Sequence, residues 1–166
     1  MRSEWVPTEI LEHILSALMP TNRLICEISL ATGLRLGDIL LLKPEHVQPD
    51  KKRFTIKEQK TGKSRTVYLP KKLREKAFKM SGRYWVFEHR LDVKKHRTRQ
   101  AVFKDLRFVA ELYRVKAHIS PHSARKAFAV DYYGKCGKNI KKVQKLLNHS
   151  NEAVTMLYAL ADKIKD

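Results

Sequence analysis

Two cysteines are all that the 166-residue sequence contains, which excludes a disulfide framework. Cys26 and Cys136 do not have the Cys-x-x-Cys spacing of a zinc site, so both are expected to be buried thiols in a reducing cytoplasm. No apolar run approaches the roughly 18 residues of a membrane span. The N-terminal stretch does not resemble a signal peptide, because Glu4, Glu9 and Glu12 interrupt any apolar segment. The sequence therefore predicts a folded cytoplasmic domain.

Acidic side chains are also scarce, with 17 Asp and Glu against 35 Lys and Arg, for a net charge of +18. The excess is uneven: residues 1–50 carry four basic and seven acidic side chains, whereas residues 51–166 carry 31 and ten. This surplus predicts a polyanionic partner, and nucleic acid is the leading candidate because each neutralised phosphate releases counterions. An acidic membrane is less favoured, since the basic residues do not line one face of an amphipathic helix.

Hydrophobic periodicity predicts a mainly helical domain. Helices are expected over residues 8–19, 22–31, 35–42, 71–80, 99–116, 139–147 and 151–161, and from an N-cap at Ser120 with Pro121 in the first turn. Alternating residues over 53–59 and 65–70, with a glycine turn between them, predict a β-hairpin. Residues 46–48 are expected to add a third short strand, and 82–98 is basic and irregular. The fold class predicted is α+β, mainly α with a small antiparallel three-stranded sheet, as one domain over residues 1–166.

Four short patterns place chemically useful side chains in one order along the chain. They are ATGLRLGDIL with Arg35, the hairpin tip with Lys60, HSAR with His122 and Arg125, and LLNHSNEAVTMLYAL with His149 and Tyr158. Taken singly, each is better explained by structure: a surface arginine, a solvated turn lysine, a histidine near a helix start and a core tyrosine. Arg35 alone raises a question, because a cation at a helix start opposes the helix dipole and needs another partner. The ordered set favours a common function.

This set resembles the catalytic domain of the tyrosine recombinase (phage integrase) family over roughly residues 8–161. The resemblance implies a catalytic set of Arg35, Lys60, His122, Arg125, His149 and Tyr158. It implies supporting roles for Asp38 and Lys126. Lys63 stays open as a rival to Lys60, because the length of this hairpin varies in the family. Asn148 stands where the family usually has glycine, and asparagine tolerates a left-handed backbone best after glycine.

The resemblance also implies the reaction, in which DNA is cleaved and rejoined without a metal ion or other cofactor through a 3′-phosphotyrosyl intermediate. Two arginines suit the phosphate charge, because their planar forks bind its oxygens bidentately. A tyrosine hydroxyl with a pKa of about 10 needs help to attack. His122 is implied in that help, His149 in a hydrogen bond to the phosphate, and Lys60 as general acid. The residues expected to contact DNA are Lys51, Lys52, Arg53, Lys63 and Arg65.

The implied partners are double-stranded DNA and further recombinase subunits, with a monomer in solution that assembles into a tetramer on DNA, in association with the nucleoid of a prokaryotic cell. Family members usually carry an N-terminal DNA-binding domain, which is expected to be absent here. The chain is then either a part of a longer integrase or a short member resembling the fimbrial-switch invertases. A non-catalytic DNA-binding regulator with this fold and an enzyme resembling type IB topoisomerases are the alternatives.

Overall fold

The structure, a computed structural model, describes residues 4–147. The helices and strands of that range are α1 (Thr8–Ser16), α2 (Pro20–Thr32), α3 (Leu36–Leu40), β1 (Arg53–Lys57), β2 (Ser64–Tyr68), α4 (Lys71–Met80), α5 (Arg99–Leu112), α6 (Pro121–Lys135) and α7 (Ile140–Leu147). The mainly helical prediction is confirmed. The helix predicted over 151–161 lies outside the described residues. No helix among those described combines the length and the apolar character needed to cross a bilayer.

Helix α2 lies at the centre of the fold. It packs against α1, α3, α4, α5 and α6, and it is therefore apolar on more than one face. Leu24, Ile25 and Ile28 are all buried. The closest neighbour of α2 is α6, whose buried Ala124 and Ala127 let the two backbones approach. This helix pair brings the end of α2 next to the start of α6.

The hairpin of β1 and β2 buries one face and exposes the other. The strands pair antiparallel with Phe54 opposite Val67, and both of these side chains are buried. Thr55 and Thr66 lie opposite each other on the exposed face, where their hydroxyl oxygens are 3.1 Å apart. This alternation is what period-two patterning dictates. The hairpin rests on the core through its inner face and leaves its basic outer face in solvent.

The prediction of a third strand is wrong for the described part of the chain, where the sheet has two strands. A 3₁₀ turn over Pro44–His46 occupies the start of the segment proposed as a strand. Proline favours this geometry because its fixed φ suits the first position of a helical turn. The turn is closed by the amide of Lys43, which donates to Nδ1 of His46 at 2.9 Å.

The irregular segment 82–98 is anchored to the core. It forms only an isolated bridge between Glu88 and His96. Val86 and Phe87 are nevertheless buried, and the amide of Val86 donates to the carbonyl of Leu42 at 2.8 Å. The basic composition of the segment predicted its irregular backbone but did not indicate that Val86 and Phe87 would anchor it in the core.

Candidate active site

The turn between α2 and α3 brings Arg35, Asp38 and Arg125 together. It contains Gly33, whose φ is +65°, and Arg35 follows directly as the N-cap of α3. Arg125 of α6 donates from Nη1 to the carbonyl of Gly33 and from Nη2 to the carbonyl of Leu147 at 3.2 Å. A Cβ at Gly33 would collide with the ring of Phe128. Glycine therefore provides both the left-handed turn and the room for α6.

Arg35 has the partners that its position at a helix start requires. Its Nη1 donates to Oε2 of Glu58 at 2.9 Å, and Oδ2 of Asp38 lies 4.0 Å from the same nitrogen. Only 8% of the residue is exposed. Its Nη2 is buried and has no hydrogen-bond partner within the described residues. The two carboxylates offset the helix dipole and the cost of burying the guanidinium, while Nη2 keeps donors for an anion.

The tip of the hairpin is attached to the same turn. The amide of Gln59 donates to Oδ1 of Asp38 at 2.9 Å, which gives Asp38 a structural role beside Arg35. The amide of Gly62 donates to the carbonyl of Glu58 at 2.9 Å, and Gly62 adopts a φ of +66°. Lys60 follows Gln59 directly and is exposed. The backbone that carries Lys60 is thus joined to the helix that carries Arg35.

The start of α6 has the N-cap that the sequence predicts. Oγ of Ser120 accepts from the amide of His122 at 3.2 Å, and Pro121 is the first helical residue. His122 is exposed, whereas Arg125, one turn later, is 2% exposed. Lys126 is half-buried. The HSAR pattern therefore places the imidazole of His122 at the protein surface. It places the guanidinium of Arg125, on the same helix, in the protein interior.

His149 and Tyr158 lie outside the described residues, as does Asn148. The described chain ends at Leu147, the last residue of α7. The carbonyl of Leu147 accepts from Arg125. Arg125 therefore holds the backbone two residues before His149.

Four of the five basic residues expected to contact DNA are exposed: Lys51, Lys52, Arg53 and Lys63. Arg65 differs, because the alternation of β2 turns it to the inner face, where it is 8% exposed. Its Nη2 donates to the carbonyl of Thr32 at 2.6 Å. Burial lowers the pKa of the Arg65 guanidinium, and the nearby Glu58 carboxylate opposes this shift. Arg65 is committed inside the fold, unlike the surface DNA contact that was expected.

Two site contacts were missing from the sequence interpretation, namely the carboxylate of Glu58 and the side chain of Gln59. Gln59 accepts from Nη2 of Arg99 at 3.2 Å, which ties the hairpin to the start of α5. One signal for Glu58 is present in the sequence: it is one of two acidic residues among eleven basic ones between Lys51 and Lys76. An acidic residue in so basic a stretch is expected to have a specific cationic partner.

In the described part of the chain, the side chains that bind metals in other proteins do not cluster. Within residues 4–147 no three or more His, Cys, Asp and Glu side chains come together as they would around a metal ion. Cys26 is 1% exposed, and burial raises the pKa of its thiol to about 12. Cys136 is only half-buried, so the prediction of two buried thiols is right for Cys26 and wrong for Cys136.

Comparison with known proteins gives a consistent result. The phage integrase family matches residues 4–164. The chain is similar to the tyrosine recombinase XerA of Thermococcus kodakarensis, with 29% identity over 90% of this chain and 55% of that protein. It is also similar to the probable integrase/recombinase YoeC of Bacillus subtilis, with 27% identity over 80% of this chain and 73% of that protein.

Among solved structures, the fold is similar to that of the XerH site-specific recombinase bound to palindromic difH substrate in a post-cleavage complex. The TM-score is 0.72 at 21% identity, over 93% of this chain and 48% of that one. The chain thus spans about half the length of XerA and XerH.

Proposed function

The chain belongs to the phage integrase family, and from that premise we propose that it is a site-specific DNA recombinase. In the proposed reaction the chain cleaves and rejoins double-stranded DNA by two transesterifications through a 3′-phosphotyrosyl intermediate. Tyr158 is the proposed nucleophile. Because each step exchanges one phosphoester for another, the reaction conserves bond energy and needs no ATP.

The observation that carries the proposal is the convergence of two distant segments, α6 and the hairpin, on residues 33–38. Arg125 binds the carbonyl of Gly33, Glu58 binds Arg35, and Gln59 binds Asp38. The two residues of each contact are separated in the sequence by 92, 23 and 21 positions, respectively. Two guanidiniums and the lysine-bearing turn therefore belong to one hydrogen-bonded unit, as a site for a single phosphate requires.

The proposed chemistry assigns one task to each group. Arg35 and Arg125 neutralise the charge that develops on the non-bridging oxygens of the phosphate, the largest contribution expected in such a site. Lys60 protonates the departing 5′-oxygen, which a long flexible ammonium on an exposed turn can reach. His122 assists deprotonation of the tyrosine hydroxyl, and His149 donates a hydrogen bond to the phosphate.

Between the two lysines left open by the sequence, Lys60 has the stronger support. Its neighbour Gln59 is bound to Asp38 of the arginine-bearing helix. Lys63 follows Gly62 on the return side of the turn, where its amide donates to Oγ1 of Thr61 at 3.3 Å. Lys60 is therefore the lysine nearer in the backbone to the contact with α3.

The partner proposed is double-stranded DNA, approached by the exposed basic side of the hairpin. Lys51, Lys52, Arg53 and Lys63 are all exposed there, and phosphate contacts of this kind provide affinity without sequence preference. Further subunits are proposed to join on the DNA, because exchange of strands between two duplexes requires four cleavages.

Covalent trapping tests the proposal. The chain is incubated with a pool of nicked duplexes that have randomised centres; a nick beside the scissile bond lets the short cleaved strand diffuse away and traps the intermediate. The expected result is a protein–DNA adduct that survives denaturant and enriches a defined sequence. Tyr158→Phe should abolish the adduct while the chain still binds DNA.

Adduct that persists in Tyr158→Phe would exclude this tyrosine as the nucleophile. Binding without any adduct in the unaltered chain would favour the non-catalytic regulator. Relaxation of supercoiled DNA without exchange of strands would favour the enzyme resembling topoisomerases.

A further inference from the structure

Glu58 is the most buried acidic side chain of the described residues, with 1% of its surface exposed. Its Oε2 accepts from Nη1 of Arg35 and from Oγ1 of Thr61, each at 2.9 Å. Its Oε1 lies 3.6 Å from Nη1 of Arg65. A carboxylate so enclosed is stable as an anion only beside cations and donors. Glu58 is thus the centre of a buried cluster that contains Arg35.

The backbone of Glu58 also closes the turn that carries Lys60. Its amide donates to the carbonyl of Lys63 at 3.0 Å, and its carbonyl accepts from the amide of Gly62 at 2.9 Å. The hydroxyl of Thr61, inside the same turn, reaches back to the carboxylate. One residue therefore contacts the Lys60 turn through its backbone and Arg35 through its side chain.

We infer that Glu58 is a positioning residue for the proposed cleavage reaction, on which this inference rests. Its carboxylate orients the guanidinium of Arg35 toward the scissile phosphate. It also holds the turn that carries Lys60 next to Arg35. An arginine side chain has many rotamers, and a carboxylate bound to one Nη removes most of them before substrate arrives. The other nitrogen, Nη2, has no hydrogen-bond partner within the described residues and keeps its N–H donors for a phosphoryl oxygen.

A purely structural role makes a different prediction. If Glu58 only balances the charge of two buried arginines, any residue that keeps the negative charge should suffice. Glu58→Asp keeps the charge but withdraws the carboxylate by one methylene from Arg35. Glu58→Gln keeps the shape but removes the charge. Positioning predicts that both variants impair cleavage, and that the defect depends on the charge of the phosphate.

The experiment compares two substrates with the sequence enriched in the trapping assay. One has a phosphodiester at the scissile bond, and the other has a methylphosphonate, in which methyl replaces a non-bridging oxygen and removes its charge. In both, the tyrosine hydroxyl loses its proton with the help of His122 and its oxygen bonds to phosphorus. The bond to the 5′-oxygen breaks, and that oxygen takes a proton from Lys60. Adduct formation is measured in a single turnover below the unfolding temperature of each variant. Glu75→Gln, an acid on α4 that pairs with Lys71 at the surface, is the matched control.

The expected result is that Glu58→Asp and Glu58→Gln slow adduct formation on the phosphodiester by about tenfold or more, the scale of losing a preorganised donor. On the methylphosphonate the same variants should be within about threefold of the unaltered chain, because a neutral phosphorus centre needs Arg35 less. DNA binding and the Glu75→Gln rates should be unchanged.

Equal slowing on both substrates, or unaltered rates on the phosphodiester, would overturn the inference while leaving the proposed function intact. An unaltered chain that forms no adduct on either substrate would overturn the proposed function and this inference with it.

Discussion

Gly33 meets two requirements that only glycine satisfies together. Its φ of +65° is unfavourable for any residue with a Cβ, and the ring of Phe128 occupies the place of that Cβ. Because Arg35 follows this turn and Arg125 binds its carbonyl, the geometry of the candidate site depends on one missing side chain. Gly33 follows the predicted helix over 22–31 by two residues, but the approach of α6 is a long-range contact that the sequence does not show.

Alanine substitutions at three glycines separate the cost of the positive φ from the cost of the collision with Phe128. Gly33→Ala should destabilise by about 2 kcal/mol or more, from a strained φ and a collision. Gly137→Ala, at a φ of +71° with open space around it, should cost about 1 kcal/mol. Gly134→Ala, in α6 with nothing within 4 Å, should stabilise by about 0.5–1 kcal/mol. Urea unfolding measures all three, and a Gly33 variant no worse than Gly137→Ala would refute the close packing.

The two cysteines should differ in reactivity. Cys26 is buried with a pKa raised to about 12, so it contains almost no thiolate near neutral pH. Cys136 is half-buried. A thiol reagent is expected to label one cysteine in the native chain and both in denaturant, as counted by intact mass. Labelling of both in the native state would contradict the packing around α2.

At the scale of single residues, the motif residues could be predicted and their partners could not. Arg35 and Arg125 belong to short sequence patterns, which are local. The carboxylate of Glu58 contacts Arg65 across the hairpin and Arg35 at the start of α3. No short sequence pattern contains either contact. The charge of Arg65 was visible in the sequence, whereas its burial was not.

At the scale of elements, periodicity was reliable where several repeats existed. Helix α2 and the β1–β2 hairpin follow their apolar patterns closely. Residues 46–48 are too few to define a hydrophobic period. The segment begins in the 3₁₀ turn Pro44–His46 and does not form the third strand that was expected. Helix α5 ends at Leu112, earlier than expected, because Arg114 adopts a φ of +53° soon afterwards.

The Pro44–His46 turn predicts a pH dependence of stability. Nδ1 of His46 accepts from the amide of Lys43 at 2.9 Å, so it must be unprotonated, and burial lowers the pKa of His46. The unfolded chain then binds the proton more readily, and this contribution to stability is present above the ordinary pKa of about 6.5 and lost as the pH falls below it.

His46→Asn tests this assignment, because the asparagine oxygen can accept the same hydrogen bond without titrating. The loss of stability between about pH 7.5 and about pH 5.5, measured from urea midpoints, should be smaller in this variant than in the unaltered chain. An unchanged loss in His46→Asn would show that other groups are responsible.

At the scale of the whole molecule, the uneven charge separates binding from chemistry. The acidic first 50 residues and the basic remainder predicted a polyanionic partner but not where its phosphates lie. The fold leaves Lys51, Lys52, Arg53 and Lys63 exposed on and beside the hairpin. It buries Arg35, Arg65, Arg74 and Arg125. Composition alone could not make this division, because burial depends on register and on helix packing.

This division predicts opposite phenotypes. Replacing Lys51, Lys52 or Arg53 by Gln should lower the slope of log affinity against log salt by about 0.9 per lost phosphate contact. Arg35→Ala should keep most binding and lose cleavage by a factor of about 100 or more. Titrations at several salt concentrations, together with adduct assays, distinguish the two classes. Loss of cleavage in proportion to loss of binding for Arg35→Ala would contradict the division.

The most direct test of the account is to identify the residue that joins the DNA. After covalent trapping, nuclease and trypsin treatment should leave a nucleotide on the peptide of residues 146–163, which contains both His149 and Tyr158. Fragmentation by mass spectrometry should locate a phosphodiester between Tyr158 and the 3′-oxygen of the nucleotide. A nucleotide on any other residue, or one attached through its 5′-oxygen, would contradict the proposed function.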